Sequence, residues 1–185
     1  MTVKPRPGGR TARTKAVVFE AVTELVTKRG YAALAMTDVA ERAGVAVTSL
    51  YRRWGDVRTL IMEVAVEQLL HEHPLPDTGS LAGDLRRWAR SIAAGLRSRE
   101  GSTFFQAFIA TAMPAGADSS SRMAALKPRI DEIATMFDRA RRRGEKPPSI
   151  DDVTDILLAP LYTRALFGIP ADEAFAEKLV KRLLS

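Results

Sequence analysis

The chain has 185 residues, with 28 lysines and arginines against 22 aspartates and glutamates for a net charge of +6, and it has no cysteine. A chain this long buries roughly 70% of its unfolded surface, enough for a core without staples; the missing cysteine excludes disulfides, thiolate metal sites and thiol nucleophiles and points to a reducing cytoplasm. The opening "MTVKPRPGGRTARTK" lacks the apolar core of a signal peptide, and no apolar run approaches the ~20 residues that a membrane span needs.

The charge is unevenly spread. Residues 1 to 58 hold 11 basic and 5 acidic side chains, and the remainder holds 17 of each, so the whole excess lies in the first third. Two readings fit: a polyanion-binding head on an electrically neutral body, or a solvated basic tail.

Sustained alternation and Asn-Gly or Asp-Gly hairpins are missing, while Ala, Leu, Arg and Glu recur at helical spacing, which predicts an all-α protein of about nine helices. In chain order, the first helix is expected from about Thr11 to Arg29, with Val18, Ala21, Val22, Leu25 and Val26 inward and Gly30 as a left-handed stop. The second covers about Met36 to Ala43, the third about Val47 to Trp54, and the fourth Asp56 to about Glu72. "HPLPDTGSLAG" breaks the chain. Further helices follow at about 80–99, 103–113 and 119–143, with Pro128 as a kink or boundary. The last two, about 150–167 and 172–184, are parted by "GIPAD", in which Asp172 caps the next helix.

The second and third helices, joined at Ala43-Gly44-Val45, fit a helix-turn-helix: a small residue for close crossing, a glycine for the turn and a valine for the core. Leu50 and Trp54, at i and i+4, seat the third helix, leaving its start with Thr48, Ser49 and Arg52 outward. That is how a recognition helix offers its N-terminal residues to the major groove.

On these residues the sequence resembles the tetracycline-repressor (TetR) family of bacterial transcriptional regulators. "GYAALAMTDVAERAGVAVTSLYRRWGDVRTLIMEVA" is similar to that family's DNA-binding domain nearly throughout, and "LLAPLYTRALFGIPADEAFAEKLVKRLL" is similar to the closing helices of one branch. The resemblance implies a DNA-binding domain over residues 1–55 and a helical ligand-binding and dimerisation domain over 56–185. It implies a homodimer on a palindromic operator, and a small-molecule pocket, for an apolar or aromatic ligand, whose filling releases double-stranded DNA through the fourth helix.

Within the head, Tyr51 aligns with the family's phosphate-contacting tyrosine, the alternative being a core tyrosine. Arg52 and Arg53 have the donors to grip guanine with two bonds or to hold phosphates. Family members often carry Ser, Lys and Gly where Ala46, Val47 and Thr48 stand here, so a phosphate-binding lysine is lost. Small apolar groups there meet thymine methyls and Thr48 adds a hydroxyl; burial of Val47 is the competing reading. Val57 replaces another common lysine, with Arg58 beside it. Ala35 stands where a capping threonine is common, an absence that costs about 1 kcal/mol unless Thr37 caps instead; Thr37 is also a candidate phosphate contact. The arm supplies Lys4, Arg6, Arg10, Arg13 and Lys15 before the first acid. Cations oppose the dipole at a helix N-terminus, so phosphates or the minor groove account for them better than stability does, with a disordered tail as the alternative for the first eight residues.

In the body, Trp88, Phe104, Phe105, Phe108, Met113, Met123, Met136 and Phe137 are core by default and candidates to line a pocket between helices. Leu157, Leu158, Leu161, Ala165, Leu166, Leu179 and Leu183 form stripes on the last two helices; the resemblance assigns them to a four-helix dimer interface, and burial within one chain is the alternative. His71 and His73, two apart at a helix end, point different ways and make no metal site. No cofactor is expected. A phosphate-binding glycine loop, HExxH and a nucleophile elbow are all missing, which argues against an enzyme. An architectural DNA binder without an inducer is the competing function.

Overall fold

The computed structural model describes residues 9–112 and 119–185, and all regular structure among them is helical. With continuous segments joined, the described residues form nine helices: α1 (Arg10–Arg29), α2 (Met36–Ala43), α3 (Val47–Trp54), α4 (Val57–Glu72), α5 (Leu81–Arg97), α6 (Arg99–Ala112), α7 (Ser119–Arg142), α8 over residues 150–166, and α9 (Glu173–Leu183). Lys4, Arg6 and Met113 lie outside the described residues, as do the side chains of Arg10 and Met123. The chain divides into two compact units, Met1–Val64 and Ala65–Ser185, so that α4 contributes to both. No helix among the described residues is long and apolar enough to cross a membrane.

In the first unit, α1 buries Val18, Phe19, Ala21, Val22, Leu25 and Val26, the face that its 3–4 spacing of apolar residues predicts. It ends as the Gly30 N–H bonds the Val26 carbonyl at 2.9 Å. Gly30 has φ 75° but ψ 168°, so the stop uses a positive φ without the left-handed helical geometry expected of it. Met36, Val39 and Ala40 of α2, Leu50 and Trp54 of α3, and Leu60 and Ile61 of α4 complete this core. Each such large side chain stabilises the unit by about 1.5–3 kcal/mol on burial, and Leu50→Ala would cost about 2–5 kcal/mol.

The second unit is built around α5. Leu81, Leu85, Trp88, Ala89 and Ile92 bury one face of it, at helical spacing, against Ile133, Met136, Phe137 and Ala140 of α7, Val153, Leu157 and Leu161 of α8, and Ala176, Leu179, Val180 and Leu183 of α9. The Ser80 hydroxyl accepts from Gly83 N–H at 3.1 Å and starts α5. The fully buried carboxylate of Asp84 then accepts from the Thr78 N–H at 2.6 Å and from its hydroxyl at 2.7 Å, which fastens the preceding loop. Surface ion pairs join α5 to α9, with Arg86 Nε at 2.8 Å from Glu177.

Two prolines fall inside helices. α7 continues through Pro128, so no boundary forms there. α8 accommodates Pro160 by widening: Ile150–Asp152 opens the helix, Val153–Leu158 is π-helical, and Ala159–Leu166 returns to α geometry. Pro160 has no N–H to give the carbonyl four residues back, and the Ala159 N–H already reaches five back to Thr154.

Candidate nucleic-acid interface

The turn between α2 and α3 follows from its residues. Gly44 sits in the left-handed region at φ 66°, ψ 34°, where a Cβ would be strained, and Val45 N–H bonds the Ala40 carbonyl at 3.0 Å. α3 begins at Ala46 with no side-chain cap, which leaves the first N–H groups of the helix for a partner outside it. Leu50 and Trp54 then anchor its inner face, at 1% and 6% exposure. The Trp54 indole N–H donates to Glu63 Oε2 of α4 at 2.7 Å, and its ring meets Phe19 of α1 with centroids 6.4 Å apart. A buried residue hydrogen-bonded to one neighbouring helix and packed against another fixes α3 in one orientation.

With that face spent, Ala46, Thr48, Tyr51, Arg52 and Arg53 are exposed, while Val47 and Ser49 are half-buried. Tyr51, at 52% exposure, is no core tyrosine. The two arginines differ. Arg52 has no hydrogen bond or ion pair among the described residues, whereas Arg53 donates to the Thr11 carbonyl at 3.3 Å and lies 5.0 Å from the Trp54 ring centroid. Arg53 therefore ties α3 to the start of α1. Nothing in the local sequence distinguishes the pair, because the tie depends on a residue 42 positions away.

The flanks are held by carboxylates. Asp38 accepts from Ala35 N–H at 2.9 Å, so the residue three beyond the cap position satisfies the first backbone donor of α2. Thr37 is exposed and does not cap, contrary to the alternative drawn from sequence; the Asp38 half of a capping box is present without it. Asp56 accepts from Thr59 N–H at 2.8 Å and starts α4, with Arg58 exposed in its first turn. Arg42 of α2 and Lys28 of α1 share Glu24, and these hydrogen bonds, Lys28's first, hold the Glu24 carboxyl below the usual glutamate range. Lys15 pairs with Glu63 at 2.9 Å and covers the Phe19 ring at 4.5 Å, so this arm cation is structural.

In the second unit, Trp88, Phe104, Phe105, Met136 and Phe137 are buried and Phe108 is half-buried. Four of the seven stripe residues, Leu157, Leu161, Leu179 and Leu183, are buried within the chain's own core, so the single-chain alternative holds for them: a side chain with almost no exposed surface has none to offer a partner. Leu158 and Ala165 are half-buried and Leu166 is 57% exposed, joined by Phe167 at 71% and Ile169 at 48%. His73 is buried, with Nδ1 2.8 Å from the Ser91 hydroxyl; burial first, and the Arg129 charge second, lower its pKa.

Two short helices about a glycine turn, the second anchored by Leu50 and Trp54 and presenting a cationic outer face, define a helix-turn-helix DNA-binding protein. Residues 18–64 match the model of bacterial regulatory proteins of the tetR family, and residues 75–183 match the tetracyclin repressor-like C-terminal domain. The chain belongs to the TetR family of DNA-binding transcriptional regulators. It is 30% identical over 160 residues to the HTH-type transcriptional regulator AqdR of Rhodococcus erythropolis, covering 86% of this chain and 75% of the relative. It is 26% identical over 180 residues to the uncharacterized HTH-type regulator YdeS of Bacillus subtilis (strain 168), covering 96% and 89%. The crystal structure of the TetR family regulator SCO0332 is 28% identical and superposes with a TM-score of 0.74, over 93% of this chain and 97% of that one. A TetR regulator from Rhodococcus sp. RHA1, 24% identical, shares the fold with a TM-score of 0.71 over 96% and 97%.

Proposed function

We propose that the chain acts in the cytoplasm as a homodimeric repressor whose two basic heads hold the halves of a palindromic operator, and which lets go when a small apolar or aromatic molecule fills its body. The observation that carries this reading is the outer face of α3, where Thr48, Tyr51 and Arg52 stand exposed together on a helix whose other face is core. In this reading residues 1–55 are the DNA-binding domain and residues 56–185 hold the ligand and the partner subunit.

Arg52, unpaired among the described residues, reads a base edge. Arg53 positions α3 and lends charge, Tyr51 and Thr37 contact phosphates, and Arg58 stands in for the lysine absent at Val57. Ala46, Val47 and Thr48 meet thymine methyls at the start of the helix, and Lys4, Arg6 and Arg10 follow the backbone or the minor groove. The partner subunit meets the exposed end of α8, through Leu158, Ala165 and Leu166 with Phe167 beside them. This apolar cluster at a helix end is the kind of surface that a second copy covers. A ligand releases DNA only by binding the released conformation better than the DNA-competent one; a shift from 1:99 to 99:1 takes a preference of about 10⁴-fold.

Footprinting on genomic fragments captured by the purified protein tests the reading. One compact, two-fold symmetric protected region per fragment is expected, and uniform coverage of the duplex would assign the chain to architectural DNA binding instead.

A further inference from the structure

The second unit gathers hydrogen-bond donors without matching acceptors. Trp88 is 2% exposed, and its indole Nε1–H is buried with no hydrogen-bond partner among the described residues, a costly state unless something meets it. The Arg129 guanidinium of α7 lies 5.6 Å from the Trp88 ring centroid, on a side chain only 14% exposed. Its Nη1 donates to the His73 carbonyl and to Glu132, each at 2.9 Å, and its Nη2 donates to the Leu69 carbonyl at 2.7 Å. A guanidinium has five N–H donors. These three bonds leave Nε–H and one Nη2–H, neighbouring donors of the kind that grip a carboxylate with two bonds.

Tyr162 of α8 is close enough to exchange charge effects with Arg129: removal from water raises the pKa of its hydroxyl and the Arg129 charge partly opposes that rise. Its ring stacks on Phe105 of α6, with centroids 5.2 Å apart, which puts an apolar wall beside a donor. Arg129 is paired with Glu132, which is 43% exposed. Capping the carbonyls of Leu69 and His73 explains why Arg129 is ordered. An arginine with that duty alone leaves the buried indole N–H without an acceptor, and its own two spare donors and the tyrosine hydroxyl free to take a ligand in place of water.

We infer that Trp88, Arg129 and Tyr162 form the polar end of the ligand site, and that the ligand is a small apolar molecule carrying an anionic oxygen, in the simplest case a carboxylate. The inference rests on the reading of the body as ligand-binding and adds the ligand's class. A cationic ligand would meet the like charge of Arg129, whereas a carboxylate adds opposite charge and a second parallel bond to what a neutral acceptor gains there. Because the same guanidinium holds the last turn of α4, occupancy of this site acts directly on that turn.

Calorimetric titration of the full chain without DNA, using the matched probes 2-naphthoate and 2-naphthamide and the pair octanoate and octanamide, tests this. In at least one pair the acid binds about tenfold or more tightly than its amide, as charge-assisted bonds imply. Arg129→Met abolishes that preference, and the milder Tyr162→Phe and Trp88→Phe each reduce it. If Arg129→Met does not fold, by its circular dichroism melt, the two milder variants decide. Acids and amides that bind alike, acids that do not bind, or a preference that survives unchanged in both milder variants would overturn the inference. Footprinting the same preparation keeps the two failures apart. A protein with a symmetric footprint but no acid preference loses only this inference; one that prefers acids but leaves no symmetric footprint loses only the repressor reading.

Discussion

In the unit ending at Val64, Arg52 stands on the outer face of α3 with no partner among the described residues, while in the unit beginning at Ala65 four arginines beside the core are answered from within, although Arg87, Arg97 and Arg142 stand exposed as Arg52 does. Arg86 meets Glu177, Arg129 meets Glu132 and two carbonyls, Arg139 donates to the Pro76 carbonyl at 2.8 Å, and Arg143 meets Glu145 at 2.7 Å and approaches buried Asp84 at 3.6 Å. The first unit also has answered cations, since Lys15 pairs with Glu63, and Lys28 and Arg42 share Glu24. Net charge therefore locates a partner surface only after internal pairs are set aside. What remains on α3 is a short exposed face on a rigidly anchored helix.

The contrast makes graded predictions. The largest is in salt: a dimer neutralising roughly 6 to 10 phosphates loses about 10³ to 10⁵ in affinity between roughly 50 and 200 mM salt, whereas folding of the charge-balanced body should barely respond over that range. Fluorescence anisotropy with a labelled duplex measures the first and thermal melting the second; a flat binding curve would remove the arm and α3 from the interface. Next, Arg52→Ala should weaken binding by about 1–3 kcal/mol without moving the melting temperature. If Arg52 reads guanine, discrimination relaxes at one or two base positions; if it grips phosphate, all sequences weaken alike. The mirror image is Asp84→Ala, which strands the Thr78 donors and destabilises by about 1–3 kcal/mol while the folded protein keeps its DNA affinity. A drop in DNA affinity at constant foldedness would break the comparison.

The smallest effect concerns pH. Because Lys28 and Arg42 hold the folded pKa of Glu24 below its ordinary value of 4.5, its contribution to stability is in place above that value and is lost as pH falls through it and lower. Glu24→Gln should melt slightly below the parent near neutral pH, and the gap should close as the solution is acidified. A gap that widens in acid would reverse the assignment.

Much of this was legible in the residues. Ala43-Gly44-Val45 announced the turn, because a glycine between small and apolar residues at the junction of two amphipathic segments leaves little else to form. Asp172 announced α9, and its carboxylate accepts from Phe175 N–H at 2.8 Å. Features that depend on distant partners were not legible. The separation of Arg52 from Arg53 turns on Thr11, and Glu63 is a Trp54 acceptor only because α4 returns beside α3. The start of α6 at Arg99 was also missed. There Ser98 is extended and its hydroxyl accepts from Gly101 N–H at 3.0 Å, a serine cap hidden in a charged run that reads as continuing helix. For Leu157, Leu161, Leu179 and Leu183 the limit is related, since periodicity says that a face is buried but not in what.

The most direct test of the central claim, that the exposed face of α3 reads duplex DNA, is selection from a random double-stranded pool by the purified full chain and by Arg52→Ala in parallel. The parent should enrich a two-fold symmetric sequence with half-sites about one helical turn apart, or a multiple of that, and the variant should enrich a degenerate or weaker version of it. A parent that enriches nothing even in dilute buffer, or a variant that returns the same sequence with the same strength, would contradict the account.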